Sequence, residues 1–311
     1  MGKGTRVTEQ LIIELLCKGL PKIPQPFGVG DDAAIVNDTA ICMDTMVEGV
    51  HFDDKLRPAD IGWKLVAVNV SDIISMGHAP AWASLSVSLP KNIPFNWVQD
   101  FKDGLHLALE NWKVNLLGGD TTRSPGPIVL SMTMGSHQNN HHIYRNGAKI
   151  GDTIWVTGYP GSACAGFLDP QNKIGLRHLR RPDPPAKFAT LANENKLINA
   201  MMDISDGIHA DLIKLCKSSG VGAEIWPKSL PIGPALRNAK EPLRCILSFG
   251  DDYELLFTTS PLKEKSLLDC AQKTQTVISK IGVINKKSLN QQQNLELKGS
   301  KWPTSYFSHF S

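Results

Sequence analysis

The feature that most constrains this chain is an alternation of strand-like and helix-like patterns that starts afresh near RNGAKIGD, residues 145–152. In the first half, apolar runs and period-two spacing predict strands, and apolar positions with helical spacing predict helices. The strands are predicted at residues 33–36, 40–46, 83–90, 114–119 and 128–136, and the helices at 61–77 and 95–112. A loop, DTTRSPGP at 120–127, is expected between the last two strands.

The pattern after residue 152 predicts a second set of elements. A strand and a Gly-rich turn are followed by two helices and three further strands. They are predicted at residues 153–158 (strand), 184–200 and 207–217 (helices), and 223–227, 253–258 and 276–284 (strands). Because 311 residues exceed the usual size of one domain, we expect two domains, residues 1–147 and 148–311, of the α/β (α+β) class.

Charge and cysteine usage argue against several classes of protein. The net charge of +3 is small and the basic residues are scattered, which argues against binding to nucleic acid. Six cysteines without a C-x-x-C pair argue against a zinc knuckle or a dense disulfide framework and favour the reducing cytoplasm. The most apolar early run contains Glu14 and Lys18 and is too short to span a bilayer, so no membrane or targeting segment is expected.

Aspartates stand at the edges of the predicted elements with unusual regularity. They are Asp31 and Asp32 before a strand, Asp44 at a strand end, Asp72 in a helix, Asp120 after a strand, and Asp203 and Asp206 before a helix. Asp44 and Asp72 lie within apolar segments, where an unpaired carboxylate costs several kcal/mol. Magnesium ions, which carboxylates hold together with substrate phosphates, explain the whole set. For any single aspartate a turn or a helix N-cap is the alternative, and Asp206 would cap a helix starting at Gly207.

Bound phosphates also need hydrogen-bond donors. The chain has no G-x-x-x-x-G-K-[ST] motif, and Gly28-Val29-Gly30 does not continue as G-x-G-x-x-G, which disfavours a P-loop kinase and a Rossmann dehydrogenase. The Gly118-Gly119 turn allows close approach of the backbone to an anion, and the Arg145 guanidinium can bind phosphate oxygens. A surface salt bridge is the alternative role of Arg145.

Six short motifs extend over nearly the whole chain: GVGDDAAIV, DTMVEGVHF, VNVSDIISMGHAPAW, GGDTTRS, DISDGIHADL and GDDYELLFT. In this order they resemble the thiamine-monophosphate kinase family of the aminoimidazole ribonucleotide synthetase-like superfamily. The resemblance implies a two-domain enzyme without a P-loop, with an N-terminal mixed sheet carrying helices and a C-terminal α/β domain. It also implies a homodimer in which ATP and several Mg²⁺ ions bind acidic loops.

The resemblance assigns roles to individual residues. The implied metal ligands are Asp32, Asp44, Asp72, Asp120, Asp203 and Asp206. The implied ATP contacts are Gly119, Asp120, Arg145 and Ser205, and the implied substrate contacts are His51, Glu254 and Phe307, with Trp302 as the alternative to Phe307. Two positions depart from the family's pattern: Met43, where a hydroxyl residue often stands, and Lys102, where an aromatic residue can contact the nucleotide. A half-buried histidine at His51 and a solvent-facing strand residue at Glu254 are the structural alternatives.

The expected reaction is direct in-line transfer of the γ-phosphoryl group of ATP to thiamine monophosphate, giving thiamine diphosphate and ADP. The acceptor phosphate has a second pKa of about 6 and needs no strong general base, so catalysis rests on positioning and charge neutralisation. Asp44, Asp72, Asp120 and Arg145 would form the catalytic set.

Two rival functions remain open. The first is another ATP-dependent member of the superfamily, such as selenophosphate synthetase or the hydrogenase-maturation enzyme. These use a reactive residue near the N-terminus or a C-terminal cysteine, whereas Cys17 lies in a predicted amphipathic helix and the sequence ends in SHFS. The second is a non-catalytic protein that binds nucleotides or metal ions, against which the nearly complete set of acidic residues argues.

Overall fold

The computed structural model describes residues 9–18, 30–286 and 295–299. After helix α1 (Glu9–Cys17), a five-stranded mixed sheet forms with the strand order β1-β2-β5-β3-β4. Only β3 and β4 pair in parallel; the other neighbours are antiparallel. The strands are β1 (Ala34–Val36), β2 (Thr39–Val47), β3 (Pro80–Pro90), β4 (Asn115–Ser124) and β5 (Val129–Ser136).

Helices α2 (Pro58–Ser75) and α3 (Phe95–Asn111) pack together, and α2 lies against β2 and β5. The alternation in β3 explains this arrangement, because Leu85, Val87 and Leu89 pack against the core while the intervening serines point to the other face. The sheet therefore has one covered face and one open face.

Strand β4 corrects the expectation of a loop at residues 120–127. Its pairing with β3 continues from Asp120, opposite Ser86, to Ser124, opposite Pro90. The register shifts near the start of this pairing, between Ala83 and Ser84 of β3. The polar run DTTRS has little intrinsic strand character, so the backbone pairing with β3 decides its conformation.

A six-stranded sheet follows, with the order β11-β8-β10-β6-β9-β7 in the described part of the chain. Its strands are β6 (Thr153–Thr157), β7 (Ala200–Asp203), β8 (Gly222–Ile225), β9 (Leu255–Thr259), β10 (Ile278–Asn285) and β11 (Leu295–Leu297). The helices around it are α4 (Ser162–Leu168), α5 (Lys173–Arg180), α6 (Ala186–Glu194), α7 (Ile208–Ser219), α8 (Pro242–Ser248) and α9 (Glu264–Thr274).

Several second-half expectations need correction. The helix expected at 184–200 ends at Glu194. Ala200, the last residue of the expected range, already begins β7. The strand expected from Tyr253 begins at Leu255, because Asp251 and Tyr253 adopt positive φ angles that break an extended strand. Helices α4, α5, α8 and α9 and strands β7 and β11 were not expected; most are too short to show a clear period.

The two sheets share packing interactions. One core cluster contains Leu65 and Met132 from the first half together with Trp155, Phe188 and Phe257 from the second. The division into residues 1–147 and 148–311 stays a prediction. No helix among the described residues is long and apolar enough to cross a membrane.

Candidate active site

Three of the predicted metal ligands come together between the two halves. Asp32 precedes β1, Asp72 lies in α2 and Asp203 ends β7. One carboxylate oxygen from each lies within 4.8 Å of the others. The Ser71 hydroxyl donates to Asp203 Oδ2 at 2.9 Å, which orients that carboxylate.

The electrostatics of this cluster favour a bound cation. Burial raises the pKa of Asp72 well above its usual value, and the neighbouring carboxylates of Asp44, Asp203 and Asp32 raise it further. The pKa of Asp203 is raised by burial and then by Asp32, and that of Asp44 is raised to about 6 by the same two causes. The protein by itself therefore does not stabilise these groups in their ionised forms.

The cluster also offers a ligand atom for a cation. Asp32 Oδ2 is buried and accepts no hydrogen bond from any described residue. A buried carboxylate oxygen without a donor costs free energy unless a cation meets it, and oxygen ligands are those that Mg²⁺ prefers. Asp32, Asp72 and Asp203, with Asp44 beside them, therefore fit Mg²⁺.

Arg145 holds the loop that carries the first Gly-Asp-Asp. Its guanidinium forms an ion pair with Asp32, and its backbone N–H donates to Asp31 Oδ1 at 2.7 Å. The Arg145 side chain is thus engaged with a predicted metal ligand, while its Nε is buried without a partner among the described residues.

A cleft of about 1840 Å³ lies beside the cluster. The predicted site residues that line it are Asp44, His51, Asp72, Asp203, Ser205 and Asp206. His51 is half-buried, and its Nδ1 accepts the Val47 N–H at 3.0 Å, so the ring is oriented by the backbone at the end of β2. The cleft therefore joins the carboxylates to the predicted acceptor contact.

Asp206 does not cap the following helix. Its carboxylate binds Lys214 Nζ at 2.5 Å, and Lys214 also binds the buried Asp211 at 2.9 Å. Helix α7 has no side-chain cap at Gly207. Asp206 therefore presents a carboxylate at the cleft instead of closing a helix end.

Asp120 and Gly119 are not brought to the cluster. Both are exposed on the edge strand β4. The register aligns Asp120 with Ser86, Ser131 and Thr45, on the open face of the sheet, whereas Asp44 aligns with the buried Met132 on the covered face. The metal and nucleotide roles of Asp120 stay predictions that rest on the resemblance.

Glu254 is half-buried rather than solvent-facing. Its Oε2 accepts the Thr157 hydroxyl at 2.5 Å, and burial raises its pKa to about 7. It is not among the residues that line the cleft. Its substrate role stays a prediction, and Phe307 and Trp302 lie outside the described residues.

The two aspartates of the second Gly-Asp-Asp have separate contacts. Asp251 binds Lys64 Nζ at 2.5 Å, which joins α2 to this loop across the cleft. Asp252 accepts the backbone N–H groups of Gly161 and Ala163 at 2.6 and 3.1 Å, and thereby holds the start of α4.

Lys64 and Lys214 are cleft residues that the sequence reasoning did not identify. Lys64 is only 4% exposed and stands eight residues before Asp72 on α2. Residues at i, i+4 and i+8 share a helix face, so the spacing alone indicates that Lys64 lies on the same side of the predicted helix as Asp72. For Lys214, the corresponding spacing is the i, i+3 pair with Asp211 on α7.

Comparisons with known proteins agree with this arrangement. The family model for the AIR synthase related protein N-terminal domain matches residues 30–136, and that for the C-terminal domain matches residues 149–291. Thiamine-monophosphate kinase of Escherichia coli (strain K12) is 40% identical over 262 residues, 77% of this chain and 78% of that protein. Its counterpart in Buchnera aphidicola subsp. Schizaphis graminum is 35% identical over 301 residues, 91% of this chain and 92% of that protein.

Solved structures are similar over most or nearly all of the chain. The structure described as AaThiL complexed with AMPPCP and TMP has a TM-score of 0.86 at 29% identity, covering 99% of this chain and 100% of that chain. Thiamine-monophosphate kinase from Stenotrophomonas maltophilia K279a has a TM-score of 0.77 at 33% identity, covering 88% and 90%. Escherichia coli HypE, a hydrogenase maturation protein, has a TM-score of 0.72 at 17% identity over 97% and 99%, a likeness of fold alone.

Proposed function

The chain belongs to the AIR synthase related family and, within it, to the thiamine-monophosphate kinases, and on this premise we propose that its cleft transfers the γ-phosphoryl group of ATP to thiamine monophosphate. The products are thiamine diphosphate and ADP. The observation that carries the proposal is the cluster of Asp32, Asp72 and Asp203, within 4.8 Å, beside a cleft that also reaches His51.

The acceptor needs no dedicated base, because its phosphate is largely ionised at neutral pH. What the site must provide is alignment of two anionic groups and neutralisation of their charge. Asp32, Asp44, Asp72 and Asp203 would hold Mg²⁺, which supplies the positive charge that stabilises the transferring phosphoryl group.

The surrounding side chains fix these carboxylates. Ser71 and Arg145 hold Asp203 and Asp32, and Asp206 is paired with Lys214. Lys64 adds a buried positive charge to the cleft wall. Ser205, which lines the cleft, is the nucleotide contact that the geometry supports best. Transfer is proposed to be direct and in-line, without a phosphoenzyme.

A homodimer is the assembly we propose. The face of the first sheet opposite α2 is open, with Met43 64% exposed and Thr45 and Ser131 joined by an exposed hydroxyl hydrogen bond of 2.8 Å. A second copy of the chain covering this face would bury both. The six cysteines, all described, are free thiols, which supports the cytoplasm as the proposed compartment.

An assay for ADP, coupled to a reporter enzyme, tests the reaction. With ATP and Mg²⁺, we expect ADP formation that depends on thiamine monophosphate and is absent with thiamine or without an acceptor. Chromatography should show thiamine diphosphate in equal amount to ADP. ADP release that does not depend on thiamine monophosphate would contradict the kinase assignment and favour a different ATP-dependent reaction on the same fold.

The variant Asp44→Asn tests the role of the carboxylate cluster. Loss of one charge next to the transferring group is expected to lower kcat about 100-fold or more. Asp54→Asn, an exposed aspartate that does not itself line the cleft, is the matched control and should retain normal kcat. If Asp44→Asn kept kcat within a few-fold, Asp44 would not be a central ligand.

A further inference from the structure

Two cysteine thiols meet at the wall of the cleft and have no part in the chemistry above. Cys164 lies in the first turn of α4, and Cys245 lies in α8. Both are buried in the hydrophobic cluster around the six-stranded sheet, and both also line the cleft. A pair of neighbouring thiols differs chemically from a single thiol, because it can be oxidised reversibly to a disulfide.

The backbone places the two thiols together. Gly161, directly before α4, has a φ of 88°, and a Cβ built on it would lie 3.0 Å from the carbonyl carbon of Cys245 and 2.8 Å from the backbone nitrogen of Ile246. The start of α4 therefore packs backbone to backbone against α8. Cys164 follows Gly161 by about one helical turn, and its thiol is hydrogen-bonded to that of Cys245.

The same region is tied to the loop that follows α8. The Asp252 carboxylate in this loop accepts the backbone N–H groups of Gly161 and Ala163 at 2.6 and 3.1 Å. Its neighbour Asp251 binds Lys64 of α2 across the cleft. A change in the spacing between α4 and α8 would therefore reach the contact that joins the two walls of the cleft.

The surroundings make Cys245 the more reactive of the two thiols. The hydrogen bond with Cys164 lowers the pKa of Cys245; burial opposes this effect, and the positive charge of Arg244 supports it. The same hydrogen bond, together with burial, raises the pKa of Cys164, which therefore keeps its proton. The thiolate is the form that attacks an oxidant, and the cleft gives a small oxidant a route to it.

We infer that Cys164 and Cys245 are a redox modification site, at which a hydroperoxide produces a reversible disulfide that lowers the activity of the cleft. Disulfides of cytoplasmic proteins are commonly of this transient, sensing kind. The site requires no metal ion and no second protein.

The chemistry has two steps. The Cys245 thiolate attacks one oxygen of hydrogen peroxide, so that an S–O bond forms, the O–O bond breaks and hydroxide leaves. The Cys164 sulfur then displaces the hydroxyl group of the sulfenic acid: the S–S bond forms, the S–O bond breaks, and the proton of Cys164 leaves with the hydroxyl group as water. Two thiols and one peroxide give one disulfide and two waters, and two electrons pass from sulfur to oxygen.

The bond also changes the geometry of the wall. Bonded sulfur atoms are about 2.05 Å apart, closer than two thiols in contact, so α4 and α8 must approach each other. A displacement of about 1 Å at a positioned group can cost about 100-fold in rate. The expected loss of activity rests on the function proposed above, whereas formation of the disulfide does not.

Peroxide treatment of a Cys17→Ser variant tests the disulfide. This background removes the one exposed cysteine, which could join two chains, and leaves five of the six thiols. Titration of thiols in denaturant should fall from five to three per chain, and peptide mapping should find Cys164 joined to Cys245. Dithiothreitol should restore all five. Five thiols after treatment, or a disulfide between other cysteines, would overturn the inference.

Activity is the second readout. Oxidation should lower kcat/KM for thiamine monophosphate about 10-fold or more, and dithiothreitol should restore it. Cys164→Ser and Cys245→Ser nearly keep the side-chain size and should each remove this sensitivity. Cys270→Ser, at a buried position outside the cleft, is the matched control and should remain sensitive.

Two results would contradict the effect on activity: full oxidation without a change in kcat/KM, and inactivation that persists in both cleft variants, which would place the sensitive group elsewhere. A protein that made no ADP with thiamine monophosphate before oxidation would refute the proposed function. The thiol count and the peptide map would still decide whether the disulfide forms.

Discussion

At the scale of the residue, the site concentrates negative charge where the fold gives it little compensation. Burial and three neighbouring carboxylates raise the pKa of Asp72, so the chain alone opposes the ionised form that a metal ligand needs. Such a group costs stability in the metal-free protein and recovers it when a cation binds. Function and stability therefore conflict at this position.

Asp72→Asn is expected to separate the two effects. The metal-free variant should be more stable than the unmodified protein, by about 1 kcal/mol or more at pH 8, because burial and the neighbouring carboxylates make Asp72 costly to ionise on folding. Its kcat should fall at least about 100-fold. Urea unfolding with and without Mg²⁺ is the measurement, and the stabilisation by Mg²⁺ seen for the unmodified protein should largely disappear. A metal-free variant that is less stable would show that Asp72 is held by hydrogen bonds instead.

His78 gives a residue-level prediction about pH. Its ring is buried, with Nδ1 2.8 Å from Ser136 Oγ and Nε2 2.8 Å from Nδ1 of His142, whose other nitrogen faces Asp38. Burial, and then His142, lower the pKa of His78 to about 4. Because the folded pKa lies below the unfolded value of about 6.5, the unfolded state binds the proton more tightly in this window.

The stability associated with His78 should thus be complete above about pH 6.5 and be lost as the pH falls toward 4, by up to about 3 kcal/mol. Urea unfolding at several pH values, for the unmodified protein and for His78→Gln, isolates this contribution. The difference in unfolding free energy between the two proteins should shrink as the pH falls from 6.5 to 4. A difference that does not change with pH would show that His78 titrates normally.

At the scale of the element, the packing of α2 on α3 places the carboxylate of Asp72. Two glycines allow the close approach: a Cβ on Gly104 would lie 1.8 Å from Ala59 O, and one on Gly62 would lie 2.4 Å from Phe101 O. These are backbone atoms, so a larger residue forces the helices apart. The position of α2 over the sheet depends on this contact.

Gly104→Ala is therefore expected to destabilise the protein by about 2 kcal/mol, even though alanine favours a helix more than glycine does. Gly126→Ala is the control, since a Cβ there meets nothing within 4 Å, and it should change stability by less than about 0.5 kcal/mol. Midpoints of urea unfolding compare the two. Equal stability of both variants would mean that α2 and α3 adjust freely.

At the scale of the whole molecule, the first sheet has one face without a partner in a single chain. Its edge strand β4 is exposed from Asn115 to Arg123, and Leu117 there is 69% exposed. Exposed strand edges and apolar side chains favour association with another chain. The proposed homodimer follows from this surface.

Light scattering with size exclusion tests the assembly. We expect a mass of about 68 kDa, twice the 34.0 kDa of one chain. Ser131→Arg, on the open face, should shift the protein to a monomer, because a buried unpaired charge opposes association. Leu262→Arg, at a position 95% exposed outside that face, should remain dimeric. A monomeric unmodified protein would remove the dimer from the proposed function.

The order of most elements and the residue types of the site could be predicted from the sequence. Apolar periodicity is a local property, so α2, β2 and β3 are visible in their own residues. The motifs likewise indicate Asp32, Asp72 and Asp203, whose carboxylates lie close together in the structure. The short second-half elements such as α4 and β7 carried too few residues to show a period.

The tertiary structure alone decided which groups meet. The pairing of Asp120 with Ser86 turned an expected loop into a strand and put its carboxylate on the open face. The Lys64–Asp251 ion pair joins positions 187 residues apart, and no local pattern reports such a contact. Sequence by itself determined the chemical groups of this site, because composition and motifs are linear; their distances, partners and ionisation depend on burial and long-range pairing, which exist only in the folded chain.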